Sequence, residues 1–278
     1  MNYYIALLSI VASIGFTGLF LWFLRDRLQE KRKERFLHQE LDSRYRIYLD
    51  KIPYYNHLSK KDKKEIEHSI NLFIHTKEFI GVGITVESEM QTVIAFYACL
   101  LLLHIRTRNC YDNLTTILIY PSAVAIENIV QSGGIYSKEQ FIIDGQAADN
   151  VVVLIWHDAK KEAYHLRHNN VIIHEFAHEI DFMDGVADGV PPLEKSKYDS
   201  WTRTLFKDYQ QLKRIVTKNR AWDKYKLLGS YAATNEAEFF AVVTERFFES
   251  PKSLQKHFPE LYNQLRDFYN IDTVKLLD

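Results

Sequence analysis

The stretch from Val171 to Gly185 reads Val-Ile-Ile-His-Glu-Phe-Ala-His-Glu-Ile-Asp-Phe-Met-Asp-Gly, and its spacing predicts an amphipathic helix. His174 and His178 are four residues apart, so both imidazoles project from one face of that helix. Their separation suits two nitrogens in one tetrahedral zinc shell. Glu175, rotated by about 100°, need not be a ligand and is free to act on water beside the metal. A separate apolar stripe for docking in the core is formed by Ile173, Phe176, Ile180 and Met183.

The composition indicates an ordered globular chain without a strong charge preference. Of the 278 residues, 47% are hydrophobic and 14% aromatic, which is ample material for a core. The net charge is −1, so no global field favours nucleic acid or acidic lipid as the main partner. The two cysteines, Cys99 and Cys110, form no C-x-x-C pair, which argues against a thiolate zinc site and fits a reducing compartment.

The N-terminal segment carries the pattern of a membrane anchor. Ile5 to Leu24 is an uncharged run of the length that crosses a bilayer as a helix. Under the positive-inside rule, the basic residues that follow place the rest of the chain in the cytoplasm, at the inner membrane. The alternative is a buried hydrophobic helix of a soluble protein. The basic residues are Arg25, Arg27, Lys31, Arg32, Lys33 and Arg35.

The remaining pattern predicts an α+β fold in which helices dominate a small sheet. The clearest strand candidates, residues 116–121 and 151–156, are rich in β-branched and aromatic residues. The second strand directly precedes the histidine helix, a position where an edge strand can pair with an extended peptide. We therefore divide the chain into a transmembrane anchor (1–25), a charged juxtamembrane connector (26–51) and a zinc peptidase domain (52–278).

A third metal ligand is needed for a catalytic zinc site, and the stretch Tyr-Ala-Ala-Thr-Asn-Glu-Ala-Glu-Phe-Phe-Ala at 231–241 offers one. In one interpretation Glu238 completes a His-His-Glu shell, while Glu245, on the same helix face, supports a ligating imidazole. In the other, Asn235 and Glu238 form a capping box, with the Glu238 carboxylate accepting from the Asn235 backbone N–H. The spacing alone satisfies both interpretations.

Several short blocks together carry a resemblance to the Mlc titration factor A family of bacterial zinc peptidases, over roughly residues 52–269. The third-ligand block also resembles the catalytic domain of anthrax lethal factor, where a glutamate follows a tyrosine by seven positions. The blocks are Ala98-Cys-Leu-Leu-Leu, Ile119-Tyr-Pro, Gly145-Gln, His174-Glu-Phe-Ala-His178 with Asp181, Asp188-Gly-Val-Pro-Pro, Tyr231-Ala-Ala-Thr-Asn-Glu-Ala-Glu238-x-Phe-Ala and Phe247-Phe-Glu-Ser-Pro251.

The resemblance implies a zincin-like metallopeptidase domain with a specific assignment of roles. It makes His174, His178 and Glu238 the ligands of Zn²⁺. It makes Glu175 the general base toward the zinc-bound water and Tyr231 a stabiliser of the transition state.

The sequence thus predicts a membrane-anchored zinc metallopeptidase acting on a peptide or protein substrate. The alternative is a regulatory binding protein that sequesters a transcription factor or another partner, with zinc structural or only weakly catalytic. No direct binding of nucleic acid is expected from the charge balance.

Overall fold

A computed structural model of the chain describes residues 2–105, 111–122, 150–166, 169–218 and 223–278, and helices form most of this structure. The predicted Gly145-Gln block and Cys110 lie outside the described residues. The helices are α1 (Asn2–His38), α2 (Ser43–Leu49), α3 (Pro53–His57), α4 (Lys60–Thr76), α5 (Ser88–Leu102), α6 (Trp156–Ala163), α7 (Val171–Asp181), α8 (Lys195–Thr217), α9 (Glu236–Glu249), α10 (Pro251–His257), α11 (Pro259–Tyr269) and α12 (Thr273–Leu276).

The described strands form one small parallel sheet in the order β1-β2-β3. Strand β1 (Glu78–Gly81) pairs with β2 (Thr116–Tyr120), which pairs in turn with β3 (Val151–Ile155). The prediction of a mainly helical α+β fold with a small sheet is confirmed, as are both predicted strands. Within the described sheet, β3 is the last strand and leads directly into α6 and then α7.

Helix α5 lies at the centre of the core, and α7 docks beside it. The side chains of α5 from Val93 to Leu101 are all buried, as an apolar run without a polar face requires. From α7, the buried Phe176 ring packs edge-on against Phe73 and Tyr111, with centroid separations of 5.7 and 5.0 Å. The apolar stripe of α7 therefore points inward, as its spacing predicts, and the histidine face is left toward α9.

The loop after α7 is tied to three helices through one glycine. The Gly189 N–H donates to Asp181 Oδ2 at the end of α7 (2.8 Å), and its carbonyl accepts from Trp201 Nε1 of α8 (3.1 Å). Gly189 has φ +80°, and a Cβ there would lie 2.6 Å from the backbone oxygen of Glu236 at the start of α9. Gly189 thus allows the loop to hold α7, α8 and α9 together.

The N-terminal segment corrects one prediction. It folds as one helix, α1, but among the described residues no helix has both the length and the apolarity needed to cross a membrane. Helix α1 continues without a break from Leu24 into the charged residues that begin at Arg25, so one element joins an apolar part to a strongly charged part. The predicted transmembrane helix and the predicted inner-membrane location are therefore wrong.

The region between α1 and residue 52 contributes to the core. Leu41, Tyr45 and Leu49 are buried in the same cluster as the side chains of α5. Asp42 caps α2, its carboxylate accepting the Arg44 N–H at 3.0 Å. The core of the structure therefore begins upstream of residue 52, while the division into a connector and a peptidase domain stays a prediction.

We predict that Gly189→Ala destabilises the fold more than Gly185→Ala does. Both glycines have positive φ, so an alanine at either position is destabilised by about 1–2 kcal/mol in the left-handed conformation. Only at Gly189 does the new Cβ meet backbone, whereas nothing lies within 4 Å at Gly185. The expected loss in the free energy of unfolding is roughly 2–5 kcal/mol at Gly189 against about 1–2 kcal/mol at Gly185. Urea unfolding followed by circular dichroism measures both; equal losses would contradict the junction role of Gly189.

Candidate metal centre

Helix α7 is fixed firmly at its beginning and its end. Asn170 is the N-cap, its Oδ1 accepting the Ile173 N–H at 3.2 Å, and the Val171 N–H donates to Glu162 Oε2 at 2.8 Å. These contacts satisfy N–H groups that the first helical turn leaves without partners. At the other end the chain passes through a short 3₁₀ turn to Gly185, which takes the left-handed conformation. His174 and His178 are thereby held one turn apart.

Helix α9 supplies Glu238 from its first turn. The Oδ1 atom of the N-cap Asn235 accepts the Glu238 N–H at 2.8 Å, which is one half of the capping-box pattern. The Glu238 carboxylate, however, lies beside the imidazoles of α7. The two interpretations of Glu238 are thus partly compatible, because the backbone is capped while the carboxylate is used elsewhere.

The three predicted ligand atoms form a nearly equilateral triangle. His174 Nε2 lies 3.1 Å from Glu238 Oε2 and 3.3 Å from His178 Nε2, and the third edge, His178 Nε2 to Glu238 Oε2, is 3.4 Å. A tetrahedral shell with metal–ligand bonds of about 2.0–2.1 Å requires ligand atoms about 3.3–3.4 Å apart. The two nitrogens and the carboxylate oxygen therefore have the chemistry and spacing of three corners of such a shell, and they fit a zinc ion.

The electrostatics of the cluster favour a cation at its centre. Burial lowers the pKa of His174, but its contacts with Glu238 and Glu245 outweigh burial and raise this pKa to about 9. Burial likewise raises the pKa of Glu238, yet the two imidazoles reverse the effect and hold this pKa well below its ordinary value. The carboxylates thus stabilise a positive charge on His174, and the same field would stabilise a divalent ion.

Glu245 lies behind His174 on the side away from the triangle. Its Oε2 is 3.6 Å from His174 Nδ1, while its Oε1 accepts the Asn170 backbone N–H at 3.3 Å and lies 3.4 Å from Arg246 Nη1. A carboxylate at this place favours a ring orientation in which Nε2 faces the triangle. This contact matches the supporting role that the sequence suggested for Glu245.

The two predicted catalytic residues lie at the same face. The Tyr231 ring centroid is 5.9 Å from that of His174, and 53% of Tyr231 is exposed. Burial raises the pKa of the Tyr231 phenol, and the charges of Glu238 and Glu175 raise it further. The half-buried Glu175 also raises the pKa of His174. Both side chains are therefore within electrostatic reach of the triangle.

The structure gives Asp181 and Asn170 contacts that the sequence pattern did not predict. Asp181, which belongs to the histidine motif block, is fully buried and accepts the N–H of Gly189 rather than contacting an imidazole nitrogen. The pattern analysis overlooked the hydrogen bond from Asn170 Nδ2 to Glu249 Oε1, which is 3.0 Å long. An asparagine directly before a helix is an N-cap signal, but the second use of its side chain depends on how α7 and α9 pack.

A cleft of about 540 Å³ opens on the His174 side of the triangle. His174 and Tyr231 line one part of it, and Glu162 and Arg246 line another. The cleft thus borders the candidate metal centre at His174, and its walls carry both polar and charged groups.

Comparison with known proteins agrees with this arrangement. Residues 27–270 match the glucose-regulated metallo-peptidase M90 family. An uncharacterized protein of Synechocystis is 34% identical over 248 residues, which cover 87% of this chain and 88% of that protein. Mlc titration factor A of Serratia proteamaculans is 28% identical over 230 residues (81% and 86% of the two chains), and that of Yersinia pestis is 27% identical over 230 residues (81% and 84%). The resemblance inferred from the sequence is confirmed, and the chain belongs to the M90 family of metallo-peptidases.

Proposed function

We propose that this chain is a zinc-dependent peptidase with a zincin-like catalytic domain, in which His174, His178 and Glu238 hold the ion. The observation that carries the proposal is the triangle of two imidazole nitrogens and one carboxylate oxygen, with edges of 3.1–3.4 Å. Three protein ligands leave a tetrahedral ion with one open position, the pattern of catalytic rather than structural zinc. Membership of the M90 family supports the same activity.

The residues around the triangle divide the work of peptide hydrolysis. When bound, zinc supplies Lewis acidity, which polarises a carbonyl and makes water more acidic. Glu175 accepts a proton from the attacking water and delivers it to the leaving amine. Tyr231 keeps its proton, because its pKa is raised, and donates a hydrogen bond to the oxyanion that forms as the peptide carbonyl is attacked. Glu245 holds the His174 ring in place.

A second candidate function is capture of a regulatory protein. The relatives from Serratia and Yersinia are named for the titration of Mlc, which favours a partner-binding role for this chain too. In that case a transcription factor of the Mlc type is the partner, and the metal serves structure or weak catalysis. The two functions make different demands on Glu175, because capture does not need a general base.

We predict that Glu238→Ala abolishes equimolar zinc binding, whereas Glu236→Ala does not. Both residues are acidic and stand in the first turn of α9, but only the Glu238 carboxylate lies at the imidazoles. Removal of one of three protein ligands from a buried site lowers metal affinity strongly, by more than the 10–100-fold seen for outer partners. Zinc content after dialysis, measured by atomic emission, compares the two variants with the wild type. Full zinc retention in Glu238→Ala would refute the assigned ligand set.

We predict that Glu175→Gln lowers the turnover of a fluorogenic peptide by about 10²–10⁴-fold while zinc content stays equimolar. The amide cannot accept the proton of the attacking water, so the loss falls on kcat. Glutamine keeps the size of the side chain, and circular dichroism checks that the fold is unchanged. Peptide turnover that is unchanged in Glu175→Gln would contradict its role as the general base.

The same variant separates hydrolysis from capture. Wild type and Glu175→Gln are titrated with purified Mlc by calorimetry, alongside the peptide assay. Peptide turnover in the wild type alone favours the peptidase. Mlc binding by both proteins, with no peptide turnover by either, favours the capture protein.

A further inference from the structure

Three carboxylates line one face of α9, and all of them meet α7 or its N-cap. Glu245 and Glu249 follow Glu238 by seven and eleven residues, so the three side chains lie within about 20° of one direction around the helix. Glu238 faces the two histidines, and Glu245 contacts His174 Nδ1 and the Asn170 N–H. Glu249, only 1% exposed, accepts from Asn170 Nδ2. The metal ligand is thus the first member of a continuous row of contacts.

Asn170 is the residue through which this row fixes α7. It is fully buried, and four of its polar groups are engaged. Oδ1 accepts the Ile173 N–H, the backbone carbonyl accepts the His174 N–H, the backbone N–H donates to Glu245, and Nδ2 donates to Glu249. Buried polar groups that lose their partners are costly, so this set of bonds specifies one axial position and one rotation of α9 against α7. Sliding α9 by a single residue would move every carboxylate of the row by about 1.5 Å.

We propose that the Asn170–Glu249 bridge is a positioning device for the metal centre, which sets the distance of Glu238 from His174 and His178. The proposal rests on the proposed metal site. Metal–ligand distances tolerate changes of only about 0.2 Å, so a small shift of α9 changes the ligand geometry. The bridging atoms, Asn170 Nδ2 and Glu249 Oε1, are not ligand atoms, and Glu249 lies eleven residues from Glu238 along α9. The bridge therefore acts on the ligands through the placement of the two helices.

A donor–acceptor exchange tests this role. Asn170→Asp keeps an oxygen to cap α7 but sets a second carboxylate against Glu249 and removes the bridging donor. Glu249→Gln keeps an acceptor for Asn170 Nδ2 and leaves the bridge intact. In the double variant the glutamine amide donates to the new aspartate, so the bridge returns with its direction reversed. Asn170→Ser, which caps the helix without reaching Glu249, is the second variant if Asn170→Asp does not fold.

The readouts are zinc affinity by chelator competition, the visible absorption spectrum of the cobalt-substituted protein, and urea unfolding of the metal-free protein. We expect Asn170→Asp to weaken zinc binding about tenfold, the lower end of the effect of outer partners, and to change the cobalt spectrum. Glu249→Gln and the double variant are expected to stay within about threefold of the wild type, within the scatter of such measurements. The negative charge that Asn170→Asp adds near the site would by itself attract the zinc ion and tighten its binding. Weaker binding by this variant therefore indicates that the ligands have been displaced.

Asn71→Asp serves as the matched control. Asn71 is also a buried asparagine that joins two elements, its Nδ2 donating to the Phe36 and Gln39 carbonyls at 2.8 and 3.4 Å. This variant is expected to lower the urea midpoint while the cobalt spectrum stays that of the wild type.

The results separate the proposal from the function on which it rests. A wild type without equimolar metal would refute the metal site itself. A wild type that binds zinc, together with an Asn170→Asp variant of unchanged affinity and cobalt spectrum, would overturn the positioning role alone. Failure of the double variant to restore the cobalt spectrum would overturn the positioning role as well. In that variant the bridge, the capping oxygen and the net charge of residues 170 and 249 match those of the wild type.

Discussion

The structure depends on the burial of carboxylates between two helices that are distant in the sequence. Glu238, Glu245 and Glu249 all turn toward α7, and a carboxylate taken out of water costs several kcal/mol unless partners replace its hydration. Here the partners are two imidazoles, the Asn170 amide and backbone, and Arg246. Because nearly all of these groups belong to α7 or the residue before it, the row of contacts stabilises α9 against α7.

On the proposed metal site, this constraint couples folding to metal binding. Without a metal, the negative charge at the triangle is balanced by a proton on His174, whose pKa is raised to about 9 despite burial. A divalent ion bound at the proposed site would replace that proton and bring more charge to the same point. Its binding would therefore release a proton and strengthen the contact between α7 and α9. The apolar stripe of α7 is not part of these charged contacts. It docks the helix against Phe73 and Tyr111 on the opposite face.

Local sequence patterns predicted the helices and strands better than they predicted the tertiary contacts between them. The apolar spacing in α7, the cap at Asn235 and the β-branched runs of β2 and β3 each act within a few residues, and the structure has each of them. The dual use of Asn170 and the placement of Asp181 under the Gly189 loop depend on tertiary packing, which no local spacing encodes. Glu238 illustrates the limit, since one spacing satisfied both cap and ligand. The N-terminal anchor failed because a run free of charge was equated with a membrane span.

The two ends of the α7–α9 pair are held by different chemistry, and the metal centre lies between them. At one end, the charged groups of Glu245 and Glu249 meet the N-cap of α7. At the other end, the Gly189 N–H donates to the Asp181 carboxylate of α7, and the Gly189 carbonyl accepts from Trp201. The same glycine packs closely against the backbone of the first residue of α9. A ligand on the first turn of α9 has little freedom to adjust by itself, since its own backbone N–H is held by Asn235. On the proposed positioning role, the separation of Glu238 from the imidazoles is therefore set by both fixed ends, which lie away from the triangle itself.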